Sequence, residues 1–288
     1  MKIKNYTLPP ITKRIERLVL SNRLHALSEE NRGSNPPMAT FAHDHIGHHI
    51  NVFGVYEHQE LALLFKYLEP VLAEFSSRRA LDIGGNIGNH ARYFSPYFKS
   101  VDTFEPNGRV FTLLNLNTSE YENVTAHNYG LSDATTCALL AESIGNLGAS
   151  SLGDQGISVD LRRLDELGYD DVVFMKLDIE RHEAAALTGA ADTIARCQPF
   201  IVFEQHVSEF QNGSTAAIDL LRDQGYSFAW MKSPEMGGKL MKLWSLVRER
   251  LTGRRFTIVA DDTVPAGTYL MLMAIPGRFK EALSSSNA

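Results

Sequence analysis

Cysteine is scarce in this sequence. The 288 residues include two cysteines, Cys137 and Cys197, which lie far apart and outside any Cys-x-x-Cys or Cys/His ligand spacing. Disulfide scaffolds and structural zinc sites both depend on clustered ligands, so the sequence predicts neither. This usage is typical of a reducing compartment and favours a cytoplasmic location.

Long hydrophobic runs are also missing. No stretch approaches the roughly 20 apolar residues of a membrane-spanning helix. Charges interrupt the N-terminal segment every few positions, which is unlike the apolar core of a signal peptide. An excess of positive charge is absent as well, since the formal net charge is −6. Nucleic acid is therefore not an expected partner.

What the sequence does contain is a regular alternation of short apolar runs with segments of helical period. Such alternation is typical of a doubly wound, Rossmann-like α/β sheet of parallel strands covered on both faces. The five parallel strands are predicted at 80–83, 101–104, 124–128, 172–177 and 200–203. Helices are expected at 57–75 and 183–195, and further strands at 226–230, 256–259 and 269–275.

The domain organisation follows from this pattern. Residues 1–55 are predicted to form an N-terminal helical extension, with a helix at 11–27 and a His-rich loop at 43–49 that could cover a cofactor. Residues 56–288 are predicted to form one catalytic domain, with insertions at about 135–160 and 233–255. The segment 239–255 reads as a basic amphipathic helix, which packs on the domain or touches a membrane surface peripherally.

A glycine-rich turn follows the first predicted strand, in the segment LDIGGNIGNH at 81–90. Glycines there let the backbone approach a ligand closely, at the edge of the sheet where α/β proteins bind cofactors. The next strand ends at Glu105, whose carboxylate can accept both hydroxyl hydrogens of a ribose. The turn residues assigned to cofactor binding are Asp82, Gly84, Gly85, Asn86 and Gly88.

Two cofactors compete for this turn. NAD requires G-x-G-x-x-G for its pyrophosphate, whereas this spacing is D-x-G-x-x-x-G. The charge of Asp82 disfavours a pyrophosphate and suits a cationic sulfonium. The pattern therefore favours S-adenosylmethionine, and an NAD-dependent oxidoreductase remains the first alternative, although no Tyr-x-x-x-Lys pair is visible.

In several separate blocks the sequence resembles the FkbM family of class I methyltransferases, from Tyr56 to His206. The matching blocks are 56–57, 81–88, 104–107, 130–133, 146–152, 176–183 and 203–204. The resemblance implies a seven-stranded fold that ends in an antiparallel strand pair. It also implies O-methylation of sugars or natural products with S-adenosylmethionine as the cofactor.

The resemblance also implies residue roles. Gly84 and Gly88 would hold the methionine part of the cofactor, Glu105 its ribose, and Ser132 and Asp133 its adenine. The remaining cofactor residues implied by the matching blocks are Glu57, Asn107 and Asp178, of which Asp178 lines the methyl-transfer side. Arg181 stands where the family pattern has glycine, so the turn after Asp178 is expected to differ.

Methyl transfer to a hydroxyl needs a base, and the candidate catalytic residues are His182, Asp178 and Glu204. His182 has a near-neutral pKa and follows a strand end, where a carboxylate could orient it. Glu204 and His206 end the next strand and could form a second polar cluster. Mg²⁺ bound by such carboxylates is an open alternative, although the metal ligands are unknown because no pattern defines them.

These features predict an O-methyltransferase that acts on a hydroxyl of a carbohydrate or secondary metabolite, so the expected partner is a small-molecule or glycan acceptor. A second alternative is a non-catalytic scaffold protein that keeps the fold and binds partners through its N-terminal and amphipathic segments. The intact pair of Asp82 and Glu105 counts against the scaffold. Oligomeric state does not follow from the sequence.

Overall fold

A computed structural model describes residues 10–32, 37–42, 44–141, 150–232 and 256–285. The chain forms two compact units, Met1–Tyr56 and Glu57–Ala288. The predicted basic amphipathic segment 239–255 lies outside the described residues, as do residues 142–149 of the other insertion. None of the helices in the described ranges is long and apolar enough to cross a membrane.

The first unit contains helices α1 (Ile11–Arg32) and α2 (His45–Phe53), joined by a hydrogen bond from Asn31 Nδ2 to the Val52 carbonyl oxygen at 3.2 Å. The predicted His-rich loop is therefore wrong from His45 onward, and His43 lies outside the described residues. Ile46, Ile50 and Phe53 recur at helical spacing. That periodicity accounts for a helix where the histidines alone indicated a loop.

The second unit is built around a large sheet and a small one. Its strands are β1 (Arg79–Ile83), β2 (Ser100–Phe104), β3 (Val124–His127), β4 (Gly130–Leu131), β5 (Thr136–Ala141), β6 (Ser151–Gly153), β7 (Ile157–Arg162), β8 (Val172–Leu177), β9 (Phe200–Gln205), β10 (Ser227–Lys232), β11 (Thr257–Ala260) and β12 (Tyr269–Ile275). Its helices are α3 (His58–Tyr67), α4 (Leu72–Phe75), α5 (Asn89–Phe94), α6 (Gly108–Thr118), α7 (Glu183–Thr188), α8 (Ala191–Cys197), α9 (Ala216–Asp223) and α10 (Gly277–Ser285).

Within the described residues, eight strands form the large sheet in the order β11-β10-β12-β9-β8-β1-β2-β3. Strands β3, β2, β1, β8 and β9 are parallel, and β12 runs antiparallel to both β9 and β10. The predicted doubly wound fold is confirmed. Strand β11, predicted at 256–259, pairs with β10 and adds an edge strand to the seven-stranded sheet that the family resemblance implies.

The centre of the large sheet is covered on both faces. Every residue of β8 is buried, as the near-continuous apolar run predicts. Aromatic side chains fill one layer around Phe174, which lies within 5.3 Å (ring centroids) of both Phe94 and Phe98. This packing holds the strand ends, and thus the loops after them, in place.

Two predicted helices are divided in the structure. The segment 57–75 forms α3 and α4 with a short 3₁₀ turn at Glu69–Val71 between them, because Pro70 lacks the N–H that a continuous helix needs. The segment 183–195 forms α7 and α8 with Gly189 between them. A Cβ at Gly189 would lie 1.9 Å from the Ser132 carbonyl oxygen, so the close approach of the two chain segments requires glycine at this position.

The first insertion contributes to the second sheet. Strands β4, β7, β5 and β6 lie side by side in that order, and their small apolar core consists of Leu140, Val159 and Leu161. Strand β4 directly precedes Ser132. The small sheet therefore supports the loop that carries Ser132 and Asp133.

Candidate functional site

The glycine-rich turn lies at the carboxyl edge of the large sheet. The amides of Gly84 and Gly85 both donate to the Phe104 carbonyl oxygen, at 3.0 and 2.9 Å. Gly84 has a φ of 86°, in the region that favours glycine. A Cβ at Gly84 would lie 2.0 Å from the Asp178 carbonyl oxygen. The turn therefore packs directly against the loop after β8, leaving room for no side chain.

Asp82 lies beneath this turn and is fully buried. Its Oδ2 accepts a hydrogen bond from Thr103 Oγ1 at 3.2 Å. Its Oδ1 has no hydrogen-bond partner among the described residues. A buried carboxylate oxygen that lacks a partner is costly, so this atom fits a site for a ligand that brings a donor or a positive charge.

Glu105 follows β2 and accepts two backbone hydrogen bonds. The Asn86 amide donates to Oε2 at 3.1 Å and the Asn107 amide to Oε1 at 2.8 Å. Burial raises the pKa of Glu105 to about 7, although the two amide donors oppose the shift. Gln at this position would leave one of the two amides unpaired and Ala would leave both unpaired, so the carboxylate organises the turn. Its binding of a ribose stays a prediction.

Two assigned cofactor residues have contacts that are structural. Asn107 Oδ1 accepts from the Arg109 amide at 3.0 Å and so caps α6. Gly88 has a φ of 90° and a Cβ there would approach Thr118 Cγ2 at 3.1 Å. The direct binding of a cofactor by these two residues stays a prediction.

Glu57 begins α3 with a φ of 57°. Its Oε2 lies 3.2 Å from His90 Nε2 on α5, and the charge of Glu57 reaches Lys176 on β8. The structure therefore brings Glu57 to the same cluster as Asp82. His90 was not among the predicted site residues, and the feature that could have marked it is its place at the start of the helix after the glycine turn.

Lys176 is the second residue of this cluster that sequence reasoning missed. Its side chain is buried, and its Nζ lies 3.0 Å from Asp178 Oδ2. Burial alone would lower the pKa of Lys176, but the charges of Asp178, Asp82 and Glu57 raise it above its ordinary value. A single lysine inside the buried run VVFMKL is the signal that could have identified it.

Asp178 and Glu204 form a hydrogen-bonded carboxyl pair across the neighbouring strands β8 and β9. Burial would raise the pKa of Asp178, but the nearby Lys176 ammonium lowers it below its usual value. Burial and the Asp178 charge raise the pKa of Glu204 to about 8. At neutral pH Glu204 therefore keeps its proton and donates to the Asp178 carboxylate.

A cavity of about 300 Å³ opens beside Glu204. Burial raises the pKa of Glu183 to about 7, although the Ile179 amide, which donates to Glu183 Oε1 at 3.0 Å, opposes this rise. Burial and the Asp178 charge also raise the pKa of Glu180. The lining residues are Glu180, Arg181, Glu183, Glu204, His206 and Glu209.

The turn after Asp178 has left-handed backbone at two residues, with φ of 53° at Glu180 and 70° at Arg181. Arg181 is the residue that departs from the family pattern. It keeps the conformation that glycine favours, so the turn retains a glycine-like shape at an energetic cost. Arg181 lines the cavity, and its charge opposes the rise in the pKa of Glu180.

The side chain of His182 contacts the loop of Ser132 and not the Asp178–Glu204 pair. Its Nε2 is 2.9 Å from Ser132 Oγ, which donates to Asp133 Oδ1 at 3.0 Å. Burial lowers the pKa of His182, although the negative charge of Asp133 partly offsets this decrease. The structure thus groups His182 with the predicted adenine residues, and its role as a base stays a prediction.

Within the described ranges, no group of three or more His, Cys, Asp or Glu side chains is arranged to hold a metal ion. Lys176 contacts Asp178, and burial raises the pKa of Glu180, Glu183 and Glu204. The metal ligands that the sequence left unknown stay unassigned.

The comparison with protein families decides the identity. A model of the FkbM methyltransferase domain matches residues 56–228. The chain belongs to the FkbM methyltransferase family. This confirms the predicted membership. No curated protein sequence matches the chain.

Among solved structures, this FkbM protein is similar to FkbM methyltransferase from Methylobacillus flagellatus KT, with 22% identity over 45% of this chain and 33% of that one, at a TM-score of 0.34. The match thus spans a third of that protein's length. It is also similar to magnesium protoporphyrin IX methyltransferase from Synechocystis PCC 6803, solved with bound SAM, with 11% identity over 94% and 100% of the two chains and a TM-score of 0.42. Precorrin-6y C5,15-methyltransferase from Geobacter metallireducens GS-15 matches at 13% identity over 75% and 87%, with a TM-score of 0.40.

Proposed function

We propose that the protein transfers a methyl group from S-adenosylmethionine to a hydroxyl oxygen of a small-molecule or glycan acceptor. The observation that carries the proposal is the contact between the glycine turn and the loop of Asp178. A Cβ at Gly84 would lie 2.0 Å from the Asp178 carbonyl oxygen. A cofactor in the turn and a proton-accepting carboxylate would therefore meet at one edge of the sheet.

The residues of the turn fit S-adenosylmethionine. Three carboxylates, on Glu57, Asp82 and Asp178, surround one ammonium group on Lys176, and this excess of negative charge suits a sulfonium and an amino group. The unpartnered Asp82 Oδ1 can accept from that amino group, and Glu105 can accept from the ribose. When bound, S-adenosylmethionine supplies the electrophilic methyl group.

The Asp178–Glu204 pair provides the base. A hydroxyl that gains a methyl group must lose its proton, and a positioned carboxylate can accept it. Asp178 is held ionised by Lys176, while Glu204 keeps its proton and orients Asp178 through their hydrogen bond. We propose that the acceptor binds in the cavity beside Glu204. Its volume of about 300 Å³ falls at the lower end for small-ligand sites and suits one sugar ring.

His182 is the second candidate base. Its lowered pKa keeps the imidazole neutral at pH 7, as a base requires. Its contact with Ser132 at 2.9 Å favours a role in holding the adenine loop. Replacement of His182 distinguishes the two roles. Loss of a base should abolish methyl transfer while the cofactor still binds, whereas loss of a residue that holds the adenine loop should weaken cofactor binding.

The first test is calorimetric titration with S-adenosylmethionine, S-adenosylhomocysteine and NAD. Saturable binding of both sulfur compounds is expected, and binding of NAD alone would overturn the cofactor assignment. Methyl-tritiated S-adenosylmethionine is then offered with panels of monosaccharides, glycosides and phenols. Label in alkali-stable ethers is expected, whereas label confined to nitrogen or to alkali-labile esters would overturn the hydroxyl acceptor.

Two variants identify the base with the acceptor that the panel selects. We expect Asp178→Asn to bind S-adenosylmethionine more weakly and to lose transfer even at saturating cofactor, because an amide cannot accept the proton. Asp170→Asn is the matched control, since Asp170 is an exposed aspartate outside the site. Unchanged transfer in Asp178→Asn, with transfer lost in His182→Ala while the cofactor still binds, would assign the base to His182.

A further inference from the structure

We propose that Lys176 is a positioning residue whose buried ammonium holds Asp178 as a carboxylate and Glu204 as its hydrogen-bond donor, so that one cation joins the cofactor side to the acceptor side of the site. This inference rests on the proposed function, because it assigns Asp178 the proton-accepting role. The Lys176 ammonium itself touches neither the methyl donor nor the acceptor.

The position of Lys176 in the sheet supports this role. It lies on β8, where its register partners are Asp82 on β1 and Val202 on β9. Lys176 is 3% exposed, so water does not screen its charge effectively. Its Nζ is 3.0 Å from Asp178 Oδ2, within the range of a charge-assisted hydrogen bond.

The surroundings explain why a lysine is needed here. Buried carboxylates tend to take up protons unless a cation compensates them. The neighbouring elements carry further titratable groups, some of which lie near Lys176 and some near the carboxyl pair. Asp178, Asp82 and Glu57 face Lys176; His90 and Glu204 face Asp178; Glu180 and Glu183 face Glu204.

Loss of the ammonium changes the pair in a defined direction. Asp178 and Glu204 share one proton and titrate as a coupled unit with two macroscopic pKa values. Removing a nearby cation destabilises each ionised form, so both values rise. A rise that places the lower value one unit above the assay pH leaves about a tenth of the pair with a carboxylate to accept a proton.

The experiment measures the pair directly and needs no acceptor. Asp and Glu are labelled with ¹³C at their side-chain carboxyl carbons, and the signals of Asp178 and Glu204 are assigned with Asp178→Asn and Glu204→Gln. In the wild type, Glu204 is expected to titrate at about pH 8, while Asp178 stays ionised around neutral pH. Lys176→Met should raise both values, and Lys176→Arg should restore them.

The control is Lys99→Met, which removes an exposed lysine outside the site and should leave both titrations unchanged. Unchanged titrations in folded Lys176→Met would overturn the proposal. Should that variant fail to fold, the reciprocal measurement replaces it. Asp178→Asn must then lower the pKa of Lys176, which is read from its ¹³Cε signal, and an unchanged lysine pKa would equally overturn the proposal.

A parallel titration with S-adenosylmethionine separates this proposal from the proposed function. Failure of the wild type to bind the cofactor would reject the function and leave the carboxyl titrations as they are. The pH profile of methyl transfer completes the test, with the acidic limb of Lys176→Met expected to move to higher pH and that of Lys176→Arg to match the wild type. A Lys176→Met limb that stays in place would overturn the positioning role.

Discussion

The replacement Glu105→Gln should weaken cofactor binding in a pH-dependent way. The Glu105 side chain accepts from the amides of Asn86 and Asn107, and in the proposed function its remaining lone pairs accept from the ribose. Glutamine keeps one carbonyl oxygen but presents an NH₂ group to one of these two amides. One amide then lacks an acceptor, and the ribose loses a charged partner.

The magnitude follows from these contacts. A hydrogen bond to a charged group contributes about 1.5–3 kcal/mol, so loss of one such bond should weaken binding of S-adenosylmethionine by about 10- to 150-fold. The unpaired amide should also lower the free energy of unfolding of the free protein by about 1–3 kcal/mol. Binding and stability therefore report two separate consequences of one change.

The pH dependence has a definite sign. Burial raises the pKa of Glu105 from 4.5 to about 7, so the folded chain holds this proton more tightly than the unfolded chain. The contribution of Glu105 to stability is therefore fully present below pH 4.5 and is lost as pH rises to about 7. Cofactor affinity should change the opposite way, since the ribose needs the carboxylate, and should increase as pH rises through 7.

Calorimetric titration at about pH 6 and pH 8.5, on either side of that pKa, measures both effects. The ratio of wild-type to Glu105→Gln affinity should be larger at the higher pH, because Glu183 and Glu204 titrate in both proteins and cancel in the ratio. Glu120→Gln is the matched control, since Glu120 is exposed. Equal affinity ratios at the two pH values would refute the role of the Glu105 carboxylate.

The other predictions concern single positions around the site. Gly84→Ala should abolish S-adenosylmethionine binding in calorimetry, since its Cβ would lie 2.0 Å from the Asp178 carbonyl oxygen; retained affinity would contradict the close packing of the turn. Arg181→Gly should raise the free energy of unfolding by about 1 kcal/mol, because Arg181 has a φ of 70°, and chemical denaturation showing no gain would argue against backbone strain there. Asp165→Ala should lower that free energy by about 1–2 kcal/mol, because its Oδ1 accepts from the Thr193 amide at 2.8 Å at the start of α8; Asp170→Ala is the control, and an equal effect of the two would reject the capping role.

Much of the fold could be predicted because its signals are local. The apolar run of β8 is long enough to require burial on both faces, and its neighbours repeat the pattern. Strand β11 was expected as a strand, but its place at the edge depends on pairing with β10. The predicted 183–195 helix is divided at Gly189, where the Ser132 backbone lies too close for any side chain, a contact that the local sequence does not reveal.

The partners of a side chain depend on more distant parts of the chain. His182, Glu183 and Glu204 all lie near strand ends, but the side chain of His182 contacts Ser132, and Glu204 contacts Asp178. Residues adjacent in sequence can point in different directions at a helix start, so proximity to Asp178 in sequence did not predict contact with it. The role of His182 as a base thus stays a prediction.

The sequence by itself determined the sheet, the glycine turn and Glu105, because apolar period, glycine spacing and a strand-end acid are properties of short segments. Only the tertiary structure decided that Lys176, Asp178 and Glu204 form one electrostatic unit. Strands β8 and β9 come into register through pairing across the chain, and a buried charge acquires its pKa from whichever groups that pairing places within a few ångströms.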